Sequence, residues 1–147
     1  MNIIIGSAQF GLNYGIANKT GILNQSNIDE ILSNSYLNGI NTIDTAQGYG
    51  SSEKSIGNYL KKNSSQNWEI ITKVNDLKCS LIESVAVSKK NLGNIKLNVL
   101  AHSIEAYQII LKEIQLIKLD GHINKFGVSV YNQEQIEIIL NDNINRI

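Results

Sequence analysis

A carboxylate and a phenol lie five residues apart in this sequence, where a short apolar run ends. They belong to Asp44 and Tyr49, and the run is Gly39–Ile43. The run predicts a buried strand and the following segment, Ser52–Lys62, predicts a helix, so both ionisable side chains are expected in a strand-to-helix loop. In parallel α/β folds the chemistry collects at the carboxyl ends of the strands. The spacing therefore indicates a reaction centre.

Two further ionisable residues end the next two predicted strands. Lys73 lies near the end of Trp68–Val74, and His102 ends Asn98–His102. Taken singly, a lysine in this place is usually solvated and a histidine is usually a hydrogen-bonded core residue. Taken together with Asp44 and Tyr49, they form a combination that indicates a catalytic site rather than four separate structural residues.

These side chains depend on strands that alternate with helices along the chain. The predicted strands are Ile3–Ile5, Thr42–Asp44, Trp68–Val74, Asn98–His102 and Phe126–Val130. Apolar residues at helical spacing predict the helices between them. The first is marked by Ile28, Ile31, Leu32 and Leu37, the second by Ile56, Tyr59 and Leu60, and the third by Ile82, Val85, Ala86 and Leu92. The fourth is marked by Ile104, Tyr107, Leu111, Ile114 and Ile117, and the last runs from Gln133 to about Asn141. This alternation predicts right-handed βαβ units and a parallel sheet.

The first helix has two candidate capping residues, Asn24 and Ser26. Asp29 lies three residues after Ser26, in the register of a capping box. We expect this helix to end near Gly39, which is the kind of residue that closes helices.

Four short stretches carry the candidate chemistry: Asp44-Thr-Ala-Gln-Gly-Tyr49-Gly-Ser-Ser-Glu53, Ile71-Thr-Lys73, Leu100-Ala-His102 and Gly127-Val-Ser129. Together they resemble the aldo-keto reductase family, and the resemblance runs through nearly the whole chain. It implies an α/β fold that is a partial TIM (β/α)₈ barrel. About five of the eight βα units are present, so residues 1–147 are expected to be a single partial barrel domain, truncated after the fifth unit.

The resemblance also implies a reaction, in which a reduced nicotinamide passes hydride to a carbonyl carbon and Tyr49 protonates the oxygen. A lysine ammonium such as that of Lys73 favours the phenolate, and Asp44 would hold that ammonium in place. His102 would orient the carbonyl or relay a proton.

The resemblance places the cofactor, NADP or NAD, against Gly6, Ser7, Asp44 and Ser129. The residue after this serine is commonly asparagine in the family, whereas here it is Val130. The adenosine-phosphate site would lie after strands beyond this chain, so the sequence leaves NADP and NAD as alternatives. Glu53 also matches the family pattern, and its place in the first turn of a helix is equally explained by the helix dipole.

Composition narrows the function classes. Thirteen basic residues balance thirteen acidic ones, so the chain has no net field to attract nucleic acid or an anionic membrane. No run is long and apolar enough to span a membrane, and the start lacks the features of a signal peptide, so we expect a cytoplasmic protein. The single cysteine, Cys79, excludes an internal disulfide and a cysteine-rich zinc site, and we expect no metal.

Three functions remain open. The first is an enzyme that reduces a small aldehyde or ketone. The second is a truncated, catalytically inactive product, and the third is a binding or regulatory relative without turnover. Five parallel strands would leave two unpaired sheet edges, so self-association is also expected. The sequence does not identify the carbonyl substrate.

Overall fold

One parallel sheet of five strands organises the part of the chain that the structure describes. The computed structural model describes residues 3–75, 80–111, 113 and 123–142. The strands follow one another in chain order across the sheet: β1 (Ile5–Gly6), β2 (Thr42–Asp44), β3 (Glu69–Val74), β4 (Leu97–Ala101) and β5 (Ile123–Val128). This confirms the α/β fold with about five βα units that corresponds to part of a (β/α)₈ barrel.

Helices connect the strands. Among the described residues they are α1 (Gln25–Leu37), α2 (Ser52–Lys62), α3 (Leu81–Leu92), α4 (Ile104–Ile110) and α5 (Gln133–Asn141), and a short 3₁₀ turn, Ala8–Phe10, follows β1. No helix within the described residues has the length and hydropathy needed to cross a membrane.

The two faces of the sheet differ because side chains alternate along each strand. On β3, Ile70, Thr72 and Val74 are fully buried, and Thr72 donates a hydrogen bond to Glu53 on α2. That face therefore packs against the helices and carries the apolar core. Lys73 lies on the opposite, inner face, which corresponds to the interior of a barrel.

Register places the inner-face residues of neighbouring strands side by side. Gly6 pairs with Asp44, Asp44 with Ile71, and Lys73 with Leu100. Leu100 in turn pairs with Gly127. The polar side chains of the inner face are thereby collected at the carboxyl ends of β2 to β4.

Some predicted element boundaries are wrong. Ile3 and Ile4 are half exposed and lie outside β1, because the pairing with β2 begins only at Ile5. The last strand lies three residues earlier than predicted at its start, since Ile123 already pairs with Leu97, and it ends at Val128.

The predicted capping box of α1 is also wrong. Asn24 is the N-cap, and its side-chain oxygen accepts a hydrogen bond of 2.9 Å from the Asn27 N–H. Asp29 instead forms an ion pair with Lys62 of α2, at 2.8 Å. A capping box does occur in α3, between Ser80 and Glu83, where the sequence analysis did not place one.

The predicted buried faces of two helices are partly wrong. Ile82 and Ala86 are exposed on α3, whereas Ser84 and Ser88 are buried there. On α1, Ile28 and Leu32 are buried as expected, but Ile31 and Leu37 are exposed. Among the residues named from the sequence, Cys79, Ile114, Ile117 and His122 lie outside the described residues.

Candidate active site

Lys73 lies at the centre of the polar cluster on the inner face. The side chain is almost completely buried, and its ammonium donates hydrogen bonds to the Asp44 carboxylate and, at 3.1 Å, to the Thr45 carbonyl oxygen. A buried ammonium needs such partners, because burial without them carries a large desolvation cost. Asp44 ends β2 and Lys73 is the penultimate residue of β3, so the pairing of these strands brings the two charges together.

Tyr49 and His102 lie against this ion pair. The Lys73 ammonium is 5.1 Å from the centroid of the Tyr49 ring, and the rings of Tyr49 and His102 are 5.9 Å apart in an edge-to-face arrangement. The main-chain N–H of His102 donates to the carbonyl of Val74, which fixes it one residue past β4. The structure thus brings together all four of Asp44, Tyr49, Lys73 and His102.

The protonation of His102 follows from this setting. Burial lowers the pKa of the imidazole below its ordinary value, the positive charge of Lys73 lowers it further, and Asp44 opposes the effect. The imidazole is therefore neutral at neutral pH. Its buried Nδ1 has no hydrogen-bond partner among the described residues, unlike the side chain of an ordinary core histidine.

Two glycines let the Tyr49 loop lie directly on the loop after β1. A Cβ atom on Gly11 would be 1.9 Å from the Tyr49 carbonyl oxygen and 2.4 Å from the Ser52 nitrogen. Gly50 has a φ of +56°, and a Cβ there would be 2.3 Å from the Gly11 carbonyl oxygen. The position of Tyr49 therefore requires glycine at both places.

Gln47 fixes the same loop from its other side. Its main-chain N–H donates to the Lys73 carbonyl at 3.0 Å, and its side-chain amide donates to the Ser84 carbonyl at 2.8 Å and to the Ser88 hydroxyl at 2.9 Å. The loop after β2 is thus bound to both β3 and α3.

Glu53 has a larger structural part than the sequence indicated. This carboxylate is 3% exposed and accepts hydrogen bonds from Thr72 and Ser88 at 2.7 Å and from Asn91 at 3.1 Å. It therefore ties the start of α2 to β3 and α3. The helix dipole alone would account for a solvated carboxylate, not for a buried one with three hydrogen-bond donors.

Two of the residues expected near the cofactor, Gly6 and Ser129, lie at the ends of the two outer strands of the described sheet. Gly6 ends β1 beside Asp44, and a Cβ on it would have no atom within 4 Å. Ser129 follows β5, and its N–H donates to Ala101, the residue before His102. This end of the sheet thus has open space beside Gly6 and a buried His102 nitrogen that lacks a hydrogen-bond partner among the described residues.

The hydroxyl of Ser7 is used within the protein. Ser7 is fully buried and donates hydrogen bonds to the Asp44 carbonyl oxygen from both its N–H and its hydroxyl, at 3.0 and 2.8 Å. Ser52 contacts the Ser7 hydroxyl at 2.9 Å. Ser7 thus fixes the end of β2 that carries Asp44.

Metal-binding groups are not gathered in the same way. Within the part of the chain that the structure describes, no three His, Cys, Asp or Glu side chains are grouped so that they could hold a metal ion.

Comparison with protein families identifies the chain. The model of the aldo/keto reductase family matches residues 2–147. The chain belongs to this family. A comparison with curated proteins finds no match.

Solved aldo-keto reductase structures share the fold. Two of them are from Pseudomonas aeruginosa and are provisionally assigned as an aldo-keto reductase. Each is 27% identical to the chain, and the TM-scores are 0.71 and 0.75. The first alignment covers 86% of this chain and 54% of that protein, and the second covers 95% and 58%.

A third structure supports the fold alone. It is a thermostable aldo-keto reductase in complex with the inhibitor epalrestat, 21% identical, with a TM-score of 0.71 over 93% of this chain and 52% of that protein. The chain thus spans just over half the length of each of these aldo-keto reductases.

Proposed function

We propose that this aldo-keto reductase chain carries the proton-transfer centre of an NAD(P)H-dependent oxidoreductase that reduces a small aldehyde or ketone to an alcohol. One observation carries the proposal. The Lys73 ammonium is bonded to Asp44 and lies 5.1 Å from the Tyr49 ring centroid, with His102 against the same ring. A phenol, a fixed cation and a neutral imidazole at one strand end are suited to general acid catalysis.

Tyr49 is the proposed proton donor. As the carbonyl oxygen gains negative charge, the phenol gives it a proton and becomes a phenolate. The Lys73 ammonium stabilises that negative charge, and its hydrogen bond to Asp44 holds the ammonium in position. The glycines that seat the loop hold the phenol in place, which matters because proton transfer needs hydrogen-bond geometry.

His102 is proposed to orient the carbonyl. The lowered pKa keeps the imidazole neutral, so it can donate a single hydrogen bond without adding a second cation beside Lys73.

The nicotinamide, when bound, supplies the hydride. Gly6, Asp44 and Ser129 are the residues proposed to hold it, with Ser7 acting through the end of β2. Ser129 is proposed to bind the carboxamide, which is supported by its main-chain bond to Ala101, the residue before His102. NADP and NAD both remain candidates, because the contacts proposed here involve only the nicotinamide end that they share.

The test compares the chain with its Tyr49→Phe variant. Cofactor binding is followed through the fluorescence of Trp68, the single tryptophan, and turnover through the oxidation of NADPH or NADH with aldehydes. Tyr49→Phe should lower carbonyl-dependent oxidation by about 10²–10⁴-fold and leave cofactor affinity nearly unchanged. Turnover of Tyr49→Phe near that of the parent would remove Tyr49 from the role of acid.

The alternative is a chain that binds without turnover, either as an inactive product or as a regulatory relative. It applies to the 147-residue chain tested by itself, which spans just over half the length of its solved relatives. Most of the affinity for the adenosine phosphates would then be missing, and orientation of the reactants can be worth ~7–11 kcal/mol of barrier. Cofactor binding with no carbonyl-dependent oxidation by the parent chain would support this alternative.

A further inference from the structure

A cavity of about 680 Å³ lies between α2 and α3, far from the proposed reaction centre. Trp68, just before β3, and Lys96, just before β4, line it, so it lies at the amino-terminal end of the sheet. Lys73 and His102 are at the opposite end. The volume is within the range of sites that hold small molecules.

The lining of this cavity is basic. It includes Lys61, Lys90 and Lys96 and no aspartate or glutamate. Within the described residues, ion pairs occupy Lys62, Lys73 and Lys125, and none of the three lysines of the cavity has one. The whole chain balances thirteen positive and thirteen negative residues, so this is a local excess of positive charge.

Helix dipoles explain part of this pattern. Lys61 and Lys90 are in the last turns of α2 and α3, where a cation is favoured by the carbonyl groups at the helix end. Lys96 lies outside any helix, in the segment that leads into β4. The helix dipoles therefore account for Lys61 and Lys90 but not for Lys96, which is exposed.

The wall of the cavity combines apolar surface with a positioned amide. Trp68 is 8% exposed, and its indole N–H donates to the Gln66 side-chain oxygen at 2.9 Å. The Tyr59 hydroxyl donates to the same oxygen at 2.8 Å. Two donors on one oxygen fix the amide, which leaves the Gln66 NH₂ as a further donor of this lining residue. Leu60 and Ile95, both half-buried, add aliphatic surface.

We propose that this cavity binds a small organic anion, a phosphomonoester with an apolar or aromatic body. The phosphate lies among the ammonium groups of Lys61, Lys90 and Lys96 and the amide of Gln66, and the body packs against Leu60 and Ile95 beside Trp68. This site is separate from the proposed reductase activity, and neither proposal depends on the other.

The experiment uses the 147-residue chain and phenyl phosphate as the probe. Binding is followed by the fluorescence of Trp68 and by calorimetry. Phenyl phosphate should bind saturably, phenol at the same concentrations should not, and inorganic phosphate should bind more weakly than phenyl phosphate. Lys96→Gln should weaken the binding of phenyl phosphate by roughly threefold to tenfold.

Lys54→Gln is the matched control, since Lys54 is an exposed lysine of α2 outside the cavity. It should leave the affinity unchanged, and circular dichroism should show that both variants keep the fold. The proposal is overturned if phenyl phosphate does not bind saturably, if phenol binds as well, if inorganic phosphate binds equally tightly, or if Lys54→Gln weakens binding as much as Lys96→Gln.

Discussion

The ammonium of Lys73 has three N–H donors, and two of them are engaged by the Asp44 carboxylate and the Thr45 carbonyl. The charge is therefore held in one place rather than on a freely moving side chain. His102 lies within its field, which is why the pKa of the imidazole is lowered by Lys73 as well as by burial. The electrostatic link between these two residues can be tested without any assay of activity.

Replacing Lys73 by methionine is expected to raise the pKa of His102, because it removes a positive charge that disfavours the imidazolium. Replacing Asp44 by asparagine should lower the same pKa further, since the aspartate favours the charged ring. NMR titration of the histidine ring protons measures both shifts. His122, the other histidine, provides an internal reference. Shifts of the same sign in both variants would contradict the assigned arrangement.

The lowered pKa of His102 also predicts a pH dependence of stability. The unfolded state, with a histidine pKa near 6.5, binds the proton more readily than the folded state. This contribution to the free energy of unfolding is fully present above that pH and is lost as the pH falls below it. Urea denaturation at several pH values should show a smaller pH dependence for His102→Gln over this window, and an identical dependence would refute the link.

At the scale of elements, the loop that carries Tyr49 depends on close contact with the loop after β1. Gly11→Ala should destabilise the fold and displace Tyr49, because its Cβ would overlap main-chain atoms of Tyr49 and Ser52. Gly6→Ala is the matched substitution, since its Cβ meets no atom within 4 Å. Thermal unfolding should show a clearly lower melting temperature for Gly11→Ala and a nearly unchanged one for Gly6→Ala.

The same pair separates fold from cofactor binding. If the nicotinamide lies above Gly6, Gly6→Ala should weaken cofactor binding while the melting temperature is maintained. Unchanged affinity in that variant would move the cofactor away from β1.

Glu53 connects three elements, so its removal should be costly. Glu53→Ala would leave the hydroxyls of Thr72 and Ser88 and the amide of Asn91 without their acceptor. Unsatisfied buried groups cost ~1–3 kcal/mol each, so a loss of at least ~2 kcal/mol in the free energy of unfolding is expected. Chemical denaturation measures it, with Glu30→Ala on the exposed side of α1 as control. Equal losses in the two variants would contradict this role for Glu53.

The sequence predicted α2, and β2 as Thr42–Asp44, with their observed bounds, but the strand expected over Gly39–Ile43 is wrong at its start, since Gly39, Ile40 and Asn41 precede β2. It placed the buried face of α3 wrongly for a physical reason. Ser84 and Ser88 are buried because they bond to Gln47 and Glu53, residues 35 to 41 positions away in the chain. A pattern of apolar residues does not contain such long-range hydrogen bonds.

The four candidate site residues were easier to predict from the sequence than the contacts that hold them in place. Asp44, Tyr49, Lys73 and His102 each end or follow a strand, and parallel strands bring their ends together. The contacts of Gly11 with the Tyr49 loop depend on the shape of two loops that are far apart in sequence, and no local signal marks them.

At the scale of the whole molecule, β1 and β5 are the outer strands of the sheet that the structure describes. Their outer edges carry main-chain N–H and C=O groups that can pair with another chain. The 147-residue chain is therefore expected to self-associate. Light scattering coupled to size-exclusion chromatography over a range of concentrations should show an apparent mass that rises with concentration. A mass that stays at 16.3 kDa would refute this.

Strand β3 carries structure and chemistry on consecutive residues. Thr72 bonds to Glu53 on the helix side, and Lys73 bonds to Asp44 on the other side. Loss or gain of a single residue within the strand would exchange its two faces. The Lys73 ammonium would then replace the Thr72 hydroxyl beside Glu53, and the candidate active site would lose its positive charge. In evolution, this strand is therefore expected to tolerate substitutions but to exclude insertions and deletions, which should be confined to the loops.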